Sequence, residues 1–123
     1  MNKKYILLIE DNESIRKSLV WALEEESYPI ITASNGKLAL NLLEKEPLPS
    51  LIILDLMMPE MDGWTFRDQQ KRNARTREIP TIITSARNRL DEILHHFPNE
   101  LLLPKPFDMN HLLAIIEQKI SFN

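Results

Sequence analysis

Apolar residues fall along this chain in two alternating rhythms. Unbroken apolar runs occur in YILLIE (5–10), IITA (30–33), LIILD (51–55), IPTIITSA (79–86) and ELLL (100–103). Consecutive apolar positions read as strands covered on both faces. Between the runs the spacing changes to three and four. Ile15, Leu19, Ala22 and Leu23 form one such stripe over residues 13–26, with Asn12 as its N-cap. Leu38, Ala39, Leu42 and Leu43 form the next, entered through an Asn35-Gly36 turn and stopped by Pro47 and Pro49. A third helix is predicted from near Gly63 to about Arg72, and a fourth over RLDEILHHF (89–97). A last one follows a cap at Asp108, with Met109, Leu112, Leu113, Ile116 and Ile120 on its core side.

Strict strand–helix alternation with short connections predicts an α/β fold. Its sheet is parallel and doubly wound, with helices on both faces and right-handed crossovers. In such folds the chemistry sits at the carboxyl ends of the strands, near the point where strand order reverses. The residues at those ends are Glu10-Asp11, Asp55, Thr84-Ser85-Ala86, and Lys105 between two prolines. Carboxylates, a hydroxyl and an ammonium would therefore converge on one rim.

Composition narrows the classes. A length of 123 residues fits one domain, spanning 1–123. With 43% hydrophobic and 27% charged residues, a packed core is expected rather than disorder. A formal net charge of -3 argues against a general nucleic-acid binder. The chain has no cysteine, which removes disulfides, thiolate metal sites and a thiol nucleophile. The apolar run after Lys3-Lys4 meets Glu10 and Asp11 too soon for a signal peptide, and no stretch is long enough to span a membrane. A soluble, cytoplasmic protein is expected.

The rim then acquires a specific chemistry. Neighbouring carboxylates raise one another's pKa unless a cation lies among them. An all-oxygen set suits Mg²⁺ or Mn²⁺, held by one or two carboxylates and by water. A carboxylate can also act as a nucleophile and form an acyl phosphate. Asp55, fixed at the end of a buried strand, is the candidate nucleophile. Lys105 and the hydroxyl of Ser85 are placed to neutralise phosphoryl oxygens. The turn after Asp55 leaves the carbonyl of Met57 free for the metal.

The stretches LLIEDN, LIILDLMMPEMDG, IPTIITSA and LPKPF, in this order and spacing, resemble the response-regulator receiver domain of bacterial-type two-component signalling. The resemblance covers essentially the whole chain. It implies a flavodoxin-like sheet of order 2-1-3-4-5. It assigns Glu10 and Asp11 to an acidic metal pair, Asp55 to the phosphoacceptor and the Met57 carbonyl to the third protein ligand of Mg²⁺. Ser85, directly before Ala86, takes the switch hydroxyl in preference to Thr84, and Lys105 the phosphate-contacting lysine. The implied donor is a sensor histidine kinase or a histidine phosphotransfer protein. The implied output is a downstream protein bound at the surface of the fourth helix, fifth strand and fifth helix. Turnover is limited to self-phosphorylation and slow self-dephosphorylation. The Lys105–Pro106 peptide is expected to be cis.

Some residues depart from the family pattern. Leu102 stands where an aromatic switch residue is common. HHFPNE (95–100) replaces the usual loop before the fifth strand, so the fourth helix is expected to be short or irregular. No effector domain follows within this sequence, which reads as a single-domain regulator or an excised receiver. Three rival readings share parts of the pattern. A flavin-binding flavodoxin would need a phosphate loop rich in Ser, Thr and Gly where EDNES stands. A haloacid-dehalogenase-type phosphatase would need an acid at Met57. A receiver that is never phosphorylated would serve only as a docking module. Other polar residues carry plain expectations: Asp62 caps the third helix, and His95 and His96 form a solvated helix end. Arg67, Lys71, Arg72 and Arg75 form a solvated basic face, and Trp64 is partly exposed.

Overall fold

The computed structural model describes residues 4–56 and 63–120, with Arg87 described by its backbone alone. Its strands are β1 (Ile6–Ile9), β2 (Ile30–Ala33), β3 (Leu51–Asp55), β4 (Thr81–Ala86) and β5 (Leu101–Lys105). The helices are α1 (Glu13–Glu25), α2 (Gly36–Leu43), α3 (Gly63–Arg72), α4 (Leu90–His96) and α5 (Met109–Lys119). All strand pairs are parallel and the order is β2-β1-β3-β4-β5. The order reverses between β1 and β3. Ile9 is in register with Leu54, so Glu10 and Asp55 leave the sheet side by side.

Each face of the sheet has its own apolar layer. On one, Leu19 and Leu23 of α1 and Leu112, Ile115 and Ile116 of α5 cover Ile6, Leu8, Ile53, Ile82 and Leu103. On the other, α2, α3 and α4 bring Ala39, Leu43, Phe66 and Ile93 onto Leu7, Ile9, Ile52, Leu54 and Ile83. This is why β1, β3 and β4 read as unbroken apolar runs: odd and even positions are both buried, whereas Ile31 and Thr32 of the edge strand β2 are exposed. Each large side chain taken fully inside contributes roughly 1.5–3 kcal/mol before ordering costs. Among the described residues no helix is long and apolar enough to cross a membrane.

The helix starts follow the capping residues. The Oδ1 atoms of Asn12 and Asn35 each accept from the N–H three residues on, Ile15 and Leu38, at 2.9 Å. Asp108 Oδ1 accepts from Asn110 N at 3.1 Å. Asn35 is thus a cap and Gly36 the first helical residue, rather than a free-standing turn. Two members of the expected stripes lie outside the core: Ile15 and Leu38 are exposed, both in first turns. The buried stripes begin further along, at Leu19 and at Ala39, where the helices reach the sheet. α4 is short as expected, seven residues behind a 3-10 turn at Arg87–Arg89, and no side chain caps it.

The basic face expected on α3 is solvated except at Arg67. Arg67 is buried, and its guanidinium grips both carboxylate oxygens of Glu100, with Nη2 to Oε1 at 2.8 Å. Arg67 Nη1 also donates to Thr81 Oγ1 at 3.0 Å. Gln70, likewise buried, donates to the same hydroxyl at 3.1 Å, and Lys71 Nζ stands 3.8 Å from Glu100. Arg75 ties the end of α2 down, donating to the Leu43 carbonyl at 2.9 Å. Lys71, Arg72 and Arg75 are exposed, so the solvated reading fails at Arg67 alone of the four. At the end of α4 His95 and His96 are exposed, as expected, with His96 also making ring contacts. Trp64 is half-buried as expected. It stacks on Phe97 with centroids 5.5 Å apart and meets the His96 ring edge-on at 5.2 Å. His96 Nε2 lies 3.4 Å from Asp68 Oδ2.

Candidate functional site

The carboxyl ends of β1, β3 and β5 bring Glu10, Asp11, Asp55 and Lys105 together. Each of the three acids offers an oxygen within 4.8 Å of the others. Glu10 and Asp55 are buried at 2% and 5% exposure, whereas Asp11 faces solvent. Lys105 Nζ donates to Glu10 Oε1 at 3.0 Å and stands 3.3 Å from Asp55 Oδ2. The Lys105–Pro106 peptide is cis, as expected, and so is Glu46–Pro47.

The electrostatics are those of crowded, partly dehydrated acids. Burial, then the Asp55 charge, push the Glu10 carboxyl up to about 7, against the pull of Lys105 and of the Asn12 N–H, which reaches Glu10 Oε2 at 3.2 Å. Burial pulls the Lys105 ammonium down. The Asp55 and Glu10 carboxylates outweigh it, so its pKa ends raised. An all-oxygen donor set with surplus negative charge fits a hard divalent cation that keeps much of its water.

Two neighbouring hydroxyls separate cleanly. Thr84 Oγ1 donates to the Leu54 carbonyl at 3.5 Å, at the long limit of a hydrogen bond. Ser85 is 3% exposed, and its Oγ finds no partner among the described residues. A buried hydroxyl with no partner costs about 1–3 kcal/mol, so its neighbourhood suits an incoming acceptor. Leu102 is half-buried and packs against the layer under α2–α4. The Met57 carbonyl and the Asp62 cap lie outside the described residues.

Two contributors were not anticipated. Gly63 donates its N–H to the Leu56 carbonyl at 2.9 Å. A Cβ there would lie 2.4 Å from Leu56 Cα and 2.6 Å from the Asp55 carbonyl oxygen. Only glycine lets the first turn of α3 lie against the strand end that carries Asp55. Arg16 is the second. Its Nη1 donates to the carbonyls of Glu10 at 2.9 Å and Asp11 at 3.3 Å, holding the backbone that aims both acids. Helical side chains lean toward the helix N-terminus, so an arginine one turn past the Asn12 cap is the available signal.

Residues 6–117 match the model of the response regulator receiver domain. The chain belongs to that family. This receiver domain is similar to the response regulator Rre1 of Synechocystis, 29% identical over 94% of the chain and 51% of that relative. It is 32% identical to the two-component response regulator ORR5 of Oryza sativa, over 89% of the chain and 86% of the relative. Among solved structures it is similar to the N-terminal domain of a response regulator receiver protein from Methanoculleus marisnigri. There the identity is 31% and the TM-score 0.69, over 97% of this chain and 98% of that one. The chain spans about half the length of Rre1.

Proposed function

We propose that Asp55 accepts a phosphoryl group from the phosphohistidine of a sensor histidine kinase or a histidine phosphotransfer protein, in the cytoplasm. The observation that carries this reading is the buried Asp55 carboxylate, held 3.3 Å from Lys105 and grouped with Glu10 and Asp11. Glu10, Asp11 and Asp55 would hold Mg²⁺ or Mn²⁺, with the Met57 carbonyl. The ion, when bound, neutralises charge on the transferring group. An Asp55 oxygen attacks phosphorus in line and the P–N bond breaks. The departing imidazole takes a proton from solvent. Lys105 turns from the Asp55 carboxylate to an oxygen of the phosphoryl group, and Ser85 Oγ–H donates to another. The modified domain then alters its α4–β5–α5 surface toward a downstream protein.

The test is phosphorylation by a small acyl-phosphate donor, read by intact-mass spectrometry. A phosphoryl adduct is expected with Mg²⁺, not after chelation, and not in Asp55→Asn. Equal modification of the wild type and Asp55→Asn would sink the assignment. No modification of the wild type in Mg²⁺, by small donors or kinases, would instead favour a docking module that works unphosphorylated.

A further inference from the structure

The two edges of the sheet are built differently. β5 carries Pro104 within the strand and Pro106 directly after it, so that edge is short of the N–H groups an added strand would need. β2 reads IITA, with neither proline nor charge. Its odd-numbered residues serve β1: the Pro29 carbonyl accepts from Ile6 N at 2.9 Å, and that of Ala33 from Glu10 N at 3.1 Å. Alternate residues of a parallel strand face opposite neighbours, so Ile30 and Thr32 turn their N–H and C=O groups outward. Ile31, between them, is 42% exposed.

The surroundings of this edge are apolar as well. Of the five large hydrophobic side chains exposed among the described residues, Ile15, Trp21, Ile31 and Leu38 belong to α1, β2 and α2. A hollow between α1 and β2 is lined by Lys17, Val20, Trp21 and Glu24 beside Ile30 and Thr32. On the other face, Ile31 borders a second hollow with Tyr5, Leu42 and Pro47.

We propose that a second copy of this chain docks on the β2 edge, its own β2 running antiparallel about a two-fold axis at Ile31. The register follows from the outward groups. Ile30 of one copy exchanges N–H···O bonds with Thr32 of the other, and symmetry repeats the pair. The two Ile31 residues then face each other as the non-hydrogen-bonded pair, where side chains approach most closely. The flank of α1 identifies the occupant. Along its β2 side it presents Lys17, then Val20 and Trp21, then Glu24: positive, apolar, negative, at one-turn spacing. Reversing the strand reverses the helix, so Lys17 of each copy comes opposite Glu24 of the other, with the apolar pair at the centre. An isologous contact needs such a charge palindrome, whereas an unrelated strand does not. Among the described residues Lys17 is tied only to Glu13, in an exposed pair at 2.9 Å that contributes little and is easily exchanged. The contact is lateral, so the two Asp55 rims stay open, facing opposite ends of the dimer.

Sedimentation of the purified chain from micromolar to millimolar concentration tests this. The mass is expected to rise from monomer to dimer, with amide exchange slowing at Ile30 and Thr32 as it does. Lys17→Glu or Glu24→Lys alone should weaken association roughly fivefold. The double exchange should restore it, and Ile31→Lys should abolish it. These side chains are exposed, and an unchanged melting temperature verifies that each variant folds. A chain that stays monomeric into the millimolar range overturns the proposal. So does a dimer indifferent to these substitutions, or one formed without protection at Ile30 and Thr32.

Discussion

Glu10 is the residue whose ionisation the fold resists. Its carboxyl sits at about 7 in the folded chain, above the 4.5 of an ordinary glutamate. The folded state therefore holds this proton more tightly than the unfolded state. Its contribution to stability is full below about pH 4.5 and is lost as pH rises through about 7. The loss is on the order of 1–3 kcal/mol. Without divalent metal, the melting temperature should fall across that window, and Glu10→Gln should flatten the slope. Millimolar Mg²⁺ should stabilise more at the high end, because it favours the ionised site. An equal slope in Glu10→Gln would show that the acid rim is not the source. Lys105 cannot remove the strain alone, since one ammonium serves two buried carboxylates.

At the scale of elements, α3 is fastened at its start and at its middle by contacts that the helical pattern alone does not reveal. Gly63→Ala forces a Cβ into the backbone of Asp55 and Leu56. We expect a loss of about 1–3 kcal/mol and phosphorylation reduced further than stability, seen by comparing melting with initial adduct formation. Normal phosphorylation in Gly63→Ala would mean that the first turn of α3 does not set Asp55. In the middle of the helix, Arg67→Met leaves the buried Glu100 carboxylate with Lys71, 3.8 Å away, as its nearest cation among the described residues, and should cost about 3–5 kcal/mol. Arg67→Met with Glu100→Leu should recover much of this in urea unfolding. Full additivity of the two losses would refute a coupled pair. The strands and the Asn12 and Asp108 caps were legible in the sequence because each depends on neighbours in the chain. The rim was legible because Asp55 and Lys105 end apolar runs. Arg67 was not, because its partner lies 33 positions away and charges at helical spacing look the same whether or not something meets them. Gly63 was read as a helix start, but the backbone it touches is set by tertiary packing.

For the whole molecule, the sheet order places the acidic rim between α1 and the β4–α4 connection. Phosphorylation adds roughly -1.5 to -2 charge there. Ser85 is the penultimate residue of β4, two residues before the 3-10 turn that leads into α4, so on the proposed reading movement of its hydroxyl would pass into that short helix. Leu102 is half-buried, with no ring or hydroxyl to swing, so it can only repack. Taking a two-state surface from 1:99 to 99:1 needs about 5.5 kcal/mol of differential stabilisation, and we expect less than that here. Hydrogen exchange with and without a beryllofluoride phosphoryl mimic should change over residues 85–107. Changes confined to α1 and α2 would place the output elsewhere.

The Trp64 stack has an optical consequence. The indole follows Gly63, which touches the Asp55 backbone, and its ring lies on Phe97 at the end of α4. One chromophore thus spans the acidic rim and the helix that leaves it. The other tryptophan, Trp21, is 68% exposed on α1. A soluble quencher such as iodide silences the exposed indole first, leaving an emission dominated by Trp64. Stopped-flow fluorescence of the unlabelled chain can then time whether the rim and α4 rearrange in one phase or in two.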